Sequence, residues 1–545
     1  MKRLGLLILL FIIPAVNQAQ NTDSLFNSLV DLMSPPKGGK RIIASGDAQK
    51  YKCAFGLITD VKLNFDKFTS YQKSVASALL ATPASDTSIV SPSGFFRIHF
   101  SASGDNKPAY SVDELALAAD SVYAFEVGTL GFAEPPQDGT FGGDSKYDIY
   151  IRDIADYGWT TLQDYASNGY YTTYMEIDND FTDDQYYVKG INAARVTLAH
   201  EFHHAIQLGN YPYRSDDLYY NEITSTSMEE FFYSGINDYL NYLVYFFEYS
   251  DETISSHDGY DLAILNIYLK ERFGISIIKK IWDNITSYRA LKAISLTLEG
   301  YSASFKTEYA NFCTWAFFTG YRAVDGQYFE DAKLFPVFTP SITLNYLGAE
   351  KMASVNTEPV SCAPVLFVNT SITPADSIYA CIVNADYLNG YENTSNTAQC
   401  SYYLSPSNSS GAKKISSSYY VKLTSGSSDV IKDFTVLNNE LTGEGETVVS
   451  EEISDPFPQP FNYSKHSTVA IPAPKGDSEQ SLLYIFTANM RQVFSGALEV
   501  IENEKIFVRW NGYDSGNNKL PNGVYFYITK RDDSILKGKL IIQNE

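Results

Sequence analysis

The sequence predicts a multidomain protein: an α+β domain made of a twisted sheet and a helix-rich second half, followed by two β-sandwich domains. Three observations carry this. At 545 residues the chain exceeds what one hydrophobic core ordinarily organises. From about Asn192 to Gly320, apolar residues recur at helical spacing, as in "INAARVTLAHEFHHAIQLG", "YDLAILNIYLKERFG" and "FKTEYANFCTWAFFTG". Beyond about residue 330, short Val/Ile/Tyr/Phe runs alternate with Ser, Asn, Gly and Pro, the texture of β-sandwiches.

The chain opens on a charged pair, Lys2 and Arg3, an apolar run from Leu4 to Ile13, and small residues before Ala19. That pattern predicts a signal peptide over 1–19, and hence a secreted protein, extracellular or on a bacterial cell surface. About ten apolar residues fall short of the roughly 20 that span a bilayer, and no later run is longer, so no transmembrane segment is expected in the mature chain. Residues 20–92 read as an N-terminal segment and candidate propeptide, with a helix around Tyr71 to Leu80 and a Ser/Pro/Thr linker over Thr82 to Gly94. The α+β domain is assigned to 93–330. Its strands are "FFRIHFSASG", "KYDIYIRDI" and "YMEIDNDF", and "YSVDELALAADSVYAFEVGTLGF" reads as a helix between the first two. The first β-sandwich covers 331–454, and the break at "EEISDPFPQPF" opens a terminal module over 455–545.

The net charge of −23 argues against nucleic acid or an anionic membrane as partner. Five cysteines are an odd number. Export permits disulfides, and one among Cys362, Cys381 and Cys400 is expected.

Three of the six histidines fall within five positions, in "HEFHH" at 200–204. On a helix, His200 and His204 lie one turn apart on one face and can grip a single zinc ion (Zn2+). Glu201, beside them, is placed to take the proton of a water whose pKa the metal has lowered. Ala193, Ala194, Leu198, Ala199 and Ala205 favour a helix there, which Gly209 is expected to close. His203 breaks the pattern and reads as a packing or supporting residue. A catalytic zinc needs a third protein ligand. Asn210 stands where a metzincin would carry a third histidine, and Gln207 where it would carry glycine. The next helix, "YNEITSTSMEEFF", supplies Glu222, Glu229 and Glu230. Glu222, 18 residues after His204, is the favoured ligand. Glu229 is the alternative, or else orients a ligand imidazole.

"HEFHHAIQ" followed by "NEITSTSMEE" resembles the gluzincin side of the zincin metallopeptidases. "FRIHF", "LGFAEPPQDGTFGGDSKYDIYI", "IDNDF" and "GINAARVTLAHEF" are similar to a group of secreted bacterial metalloproteases. The resemblance covers about Ser93 to Arg322 and implies a zincin fold, a protein or peptide substrate, and an edge strand that binds extended peptide, for which "YMEIDNDF" is the candidate. Two positions depart from the pattern: His203 replaces an apolar residue, and Thr226 stands four residues after Glu222 where thermolysin-like members carry aspartate. The resemblance also implies a Tyr or His that stabilises the oxyanion. His257 and Tyr260 are the candidates, with Tyr220 behind them.

The Asp-rich "QDGTFGGDSKYD" and "DNDFTDD" invite calcium (Ca2+) through their carboxylates, although they read equally as turns. Cys53, in "KCAFGL", reads as a disulfide partner or inert thiol ahead of a thiolate cap on the zinc. In the last module, "LPNGVYFY" and "GKLIIQ" resemble the immunoglobulin-like modules and type IX secretion sorting domains of exported bacterial proteins, which implies contact with secretion machinery. A secreted zinc endopeptidase is the leading reading. A non-catalytic surface adhesin on the same scaffold is the alternative, and a zinc hydrolase of non-peptide substrates is a third.

Overall fold

Strands β1 (Thr87–Val90), β2 (Phe96–Phe100), β3 (Tyr147–Arg152), β4 (Gly158–Tyr165) and β5 (Tyr171–Asp178) form the first sheet, in the order β1-β2-β3-β5-β4. In the computed structural model the residues described are 13–33, 52–154, 156–182, 186–346, 350–369, 376–391, 396–405, 416–423, 430–431, 436–438, 456, 458–487, 491–502, 506–532 and 534–544. Most of the expected signal peptide, residues 1–12, lies outside them. The chain is mixed α and β with several sheets and divides into two units, Met1–Gly443 and Glu444–Glu545.

Strands β2, β3 and β5 run parallel, while β1 and β4 are antiparallel edges. This corrects two expectations. The stretch read as a linker over Thr82 to Gly94 contains β1, because its β-branched "TSIV" pairs with β2. The expected edge strand, "YMEIDNDF", is instead interior: β5 lies between β3 and β4 and is buried from Thr172 to Asp178. The edge is β4, whose Gln163, Asp164 and Tyr165 are partly or fully exposed, as suits a strand with one free side.

The helices follow in order: α1 (Ile13–Met33), α2 (Phe55–Leu63), α3 (Ser70–Leu79), α4 (Val112–Tyr123), α5 (Gly190–Asn210), α6 (Leu218–Phe232), α7 (Val244–Glu248), α8 (Ala263–Phe273), α9 (Ser276–Ile285), α10 (Ala290–Gly300) and α11 (Phe305–Phe317). Helix α3 matches the expected one near Tyr71 to Leu80 and opens on a Thr69–Gln72 capping box. Helix α5 packs under β4 and β5 and against α4 and α6, and it is buried from Val196 to Gly209. Its small and apolar residues therefore meet neighbours all round. Gly209 does not close this helix, which ends at Asn210. A Cβ there would come 2.5 Å from Cδ of Pro136, so the glycine admits a crossing chain.

Strands β6 (Ile342–Tyr346), β7 (Glu350–Thr357), β8 (Ser361–Asn369), β9 (Asp376–Asn384), β10 (Asn396–Ser405), β11 (Ser416–Leu423), β12 (Val430–Ile431) and β13 (Val436–Asn438) form two sheets. Their orders are β12-β9-β8-β6, with β13 also on β9, and β11-β10-β7. They share a unit with the helical half, joined by Cys362 N–H to the Ser250 carbonyl (2.6 Å) and the Tyr309 hydroxyl to the Val360 carbonyl (3.0 Å). Cys362 and Cys381 are free thiols, contrary to the disulfide expected there. In the β8–β9 register Cys362 faces Val383 and Cys381 faces Pro364, so the two are diagonal rather than opposed. The side chain of Cys400 lies outside the described residues.

The second unit contains β14 (Val469–Pro472), β15 (Gln480–Thr487), β16 (Gln492–Glu502), β17 (Ile506–Trp510), β18 (Gly523–Arg531) and β19 (Ser534–Ile542), in the order β14-β17-β16-β15-β18-β19. Every strand pair is antiparallel, and the core gathers Phe461, Ile471, Leu483, Trp510, Tyr527 and Leu540. The strand–turn–strand pattern expected at the terminus is present. Among the described residues, no helix is long and apolar enough to cross a membrane.

Candidate metal centre

Helices α5 and α6 carry the site on their facing sides. His200 and His204 stand one turn apart, and their Nε2 atoms are 3.1 Å from each other. Glu222 Oε2 lies 3.1 Å from His200 Nε2 and 3.2 Å from His204 Nε2. Three ligand atoms thus form a nearly equilateral triangle. Ligands at about 2.0–2.1 Å from a tetrahedral zinc would be separated by roughly 3.3 Å, so the triangle matches one face of such a site.

The outward nitrogens are also held. His200 Nδ1 is 2.8 Å from Glu229 Oε1, and His204 Nδ1 is 2.8 Å from Gln207 Oε1. Gln207 is fixed in turn, donating from Nε2 to the Asn221 carbonyl at 3.0 Å while its Oε1 accepts from Asn221 Nδ2 at 3.0 Å. A proton on each Nδ1, donated to these acceptors, would leave each Nε2 lone pair free to face a metal in place of the Nε2 proton that the metal-free His200 favours. Burial alone would lower the His200 pKa, but its bonds to Glu222 and Glu229 carry it up to about 9. Burial would raise Glu222, yet the two imidazoles hold it down at about 2. The donor set therefore fits zinc.

Glu201 lies beside the triangle. Its Oε2 and its own carbonyl accept from the Thr160 hydroxyl on β4, at 2.9 and 2.8 Å. Burial pushes its pKa up against the pull of His200 and His204.

Glu229 orients His200, one of the two roles the sequence allowed it. Its other oxygen pairs with Lys52, which also reaches Asp238 at 2.5 Å. Burial would lower the Lys52 pKa, but Asp238 and Glu229 more than reverse that and raise it. Thr226 is buried, and the histidine-orienting role falls to Glu229 three residues further on.

His203 faces away from the triangle. Its Nδ1 is 2.7 Å from Glu126 Oε2, and its ring meets Phe132 and Trp282 edge-on at 5.0 and 5.9 Å. Burial pushes the Glu126 carboxyl up and the His203 imidazole down, the latter helped by His204 and His200 nearby. Tyr260 stands over His200 with ring centroids 6.0 Å apart, and its hydroxyl donates to the Cys53 carbonyl at 3.0 Å. His257 is not brought into this group: its Nδ1 is 2.6 Å from Asp261 Oδ2, and its ring packs on Tyr245 and Phe246. Tyr220 bonds to Asn266 at 3.2 Å and stacks on Trp282 in the core.

Cys53 is the residue that sequence reasoning set aside. Its Sγ, the His200 and His204 nitrogens and a Glu222 oxygen all lie within 4.8 Å of one another. Lys52, Thr160 and Gln207 were also missed. The one signal was that Cys53 precedes the HExxH helix in a short apolar stretch.

Among the described residues, that cluster is the group of three or more metal-ligating side chains within mutual reach. Three carboxylates of the acidic stretches have protein partners of their own. Asp144 pairs with Arg97 (2.5 Å) and Lys146 (2.6 Å), and Asp148 Oδ1 is 2.8 Å from His99 Nε2. Asp178 accepts from the N–H groups of Ile154 and Phe181 at 3.1 and 2.6 Å, a turn-forming role. Comparison with protein-family models, curated proteins and solved structures gives no match for this chain.

Proposed function

We propose that the chain is a secreted zinc-dependent endopeptidase of gluzincin type, with His200, His204 and Glu222 as ligands and Glu201 as general base. The observation that carries this is the triangle of two inward Nε2 atoms and one carboxylate oxygen with 3.1–3.2 Å edges and Glu201 alongside. The antiparallel edge strand β4 lying over the HExxH helix supports a cleft for extended peptide, and the twisted sheet above a helical half supports a zincin architecture. The leader-like 1–19 and the β-rich terminal module support export through a sorting route.

His200, His204 and Glu222 would hold the zinc, which when bound would supply a Lewis acid able to lower the pKa of water and polarise a peptide carbonyl. Glu201 takes the proton of the attacking water and later delivers it to the departing amine. Thr160 holds the Glu201 carboxylate in position from the edge strand. Tyr260, over His200, is the donor best placed to meet the oxyanion once its hydroxyl leaves the Cys53 carbonyl.

The test is zinc stoichiometry and peptide-library cleavage for wild type, Glu201→Gln and His204→Ala, with cleavage read after Cys53→Ser is added to each chain so that the thiol beside the triangle does not mask it. One equivalent of zinc in wild type and Glu201→Gln, none in His204→Ala, and chelator-sensitive cleavage absent from both variants is the expected pattern. Cleavage retained in Glu201→Gln refutes the mechanism. No zinc and no cleavage in wild type leaves the adhesin reading instead.

A further inference from the structure

Residues 52–80 close this centre. Cys53 forms a bridge to Gly158 at the start of edge strand β4, and α2 packs along the same strand. The Cys53 carbonyl receives the Tyr260 hydroxyl at 3.0 Å. Phe55 lies flat on the His204 imidazole with ring centroids 3.8 Å apart, and meets Tyr213 edge-on at 5.9 Å. Lys52 is buried between Glu229 and Asp238. Under this cover Cys53, His200, Glu201, His204 and Glu222 are each 3% exposed or less, so the centre is shut off from water and substrate.

The cysteine is the point of the cover. Its Sγ sits within 4.8 Å of a nitrogen of each histidine and a Glu222 oxygen, close enough for all four to share one ion. Its thiol is hydrogen-bonded to Glu201, and the Phe55 N–H donates to the sulfur at 3.3 Å. An inert core thiol needs neither contact.

We infer that Cys53 is the fourth ligand of the metal and that residues 52–80 are an inhibitory segment, so the chain bearing them is a latent form of the proposed peptidase. The inference rests on that reading of the site. Coordination breaks the S–H bond, forms a sulfur–metal bond, and passes the proton to the Glu201 carboxylate. Sulfur then fills the position a water must take, and the base already holds a proton. The Cys53 carbonyl on Tyr260 and the parallel bridge to Gly158 seat the segment against edge strand β4, where it presents sulfur rather than a scissile carbonyl to the metal. Activation then consists of withdrawing the segment, with the thiolate reprotonated as it leaves.

X-ray absorption on the zinc-loaded full-length chain tests the ligand directly. Wild type should show sulfur scattering at about 2.3 Å, and Cys53→Ser should keep one zinc with nitrogen and oxygen ligands alone. Peptide cleavage by Cys53→Ser should exceed that of wild type by at least tenfold. The wild-type spectrum stands as a test even if the variant folds poorly. Zinc bound without sulfur in wild type overturns the ligand and leaves the peptidase reading intact. Sulfur present with zinc lost and no gain in cleavage for Cys53→Ser overturns inhibition, because the four-ligand site is then structural. Absence of zinc from both proteins overturns the metallopeptidase reading and this inference with it.

Discussion

Lys52 and Glu229 form a buried ion pair across 177 residues of sequence, and the same Glu229 carboxylate holds the His200 ring from behind. One lysine therefore links the covering segment to the orientation of a metal ligand. Replacing it by methionine leaves Glu229 and Asp238 buried without their cation. Loss of one partner of such a group costs about 3–5 kcal/mol. Lys52→Met should lower the midpoint of thermal unfolding by several degrees and expose residues 52–80 to limited proteolysis. An unchanged midpoint and cleavage pattern would mean the pair does not hold the segment.

Gln207 fixes the outer nitrogen of His204 without touching the ligand triangle. Gln207→Ala should weaken zinc binding by about 10–100-fold, the usual effect of removing a partner of a ligating histidine. Competition against a chromophoric chelator reads this directly, and circular dichroism should remain unchanged. Wild-type affinity in the variant would show that Ser225, 3.2 Å from the same Nδ1, suffices.

Thr160 is expected to act through Glu201. Thr160→Val keeps the shape of the side chain and removes the donor to the Glu201 carboxylate. In a Cys53→Ser background, kcat should fall by about tenfold, a loss typical of one positioning hydrogen bond to a charged group. Zinc content should not change. A fall in zinc content would assign Thr160 a structural role.

Glu230, the third acid of α6, carries a different signature. Burial, and then Asp331 and Glu330 nearby, push its carboxyl up to about 8. A carboxyl raised in the folded state favours folding while protonated, and that contribution is lost as pH climbs from about 4.5 towards 8. Glu230→Gln should therefore gain stability over wild type progressively across that window, reaching about 1–2 kcal/mol after discounting for partial exposure. Denaturant titrations at pH 5 and 8.5 measure it. An equal difference at both pH values would contradict the assignment.

The cluster of His200, His204 and Glu222 was legible because its members lie close in sequence. His200 and His204 are fixed by helical spacing, and Glu222 by the length of one turn and one helix. Glu229 followed from its place two helical turns beyond Glu222. A thiolate cap by Cys53 was only the weaker reading of that residue and Lys52 was not legible, since their partners lie about 150 to 190 residues away and no local periodicity encodes such a pairing. The edge strand was misplaced for a related reason: β5 is buried on both faces and shows no alternation, while polar "GWTTLQDY" gives a weak strand signal despite forming β4. Of the two residues offered for the oxyanion, Tyr260 stands over His200, whereas His257, a few residues before it, turns to Asp261.

Phe26, Leu29, Phe55, Ile58, Phe68 and Ala76 of the leading segment share one apolar cluster with Trp159 and Leu162 of β4, Leu208 of α5, and Tyr242 and Tyr260. A cover built this way is held by core contacts spread along its length. It leaves only by giving up its own core, as a cooperative block of local unfolding. Its departure therefore has a high activation enthalpy, and the lag before activity should shorten several-fold for each ten-degree rise. Such a latch acts as a thermal timer as well as a plug.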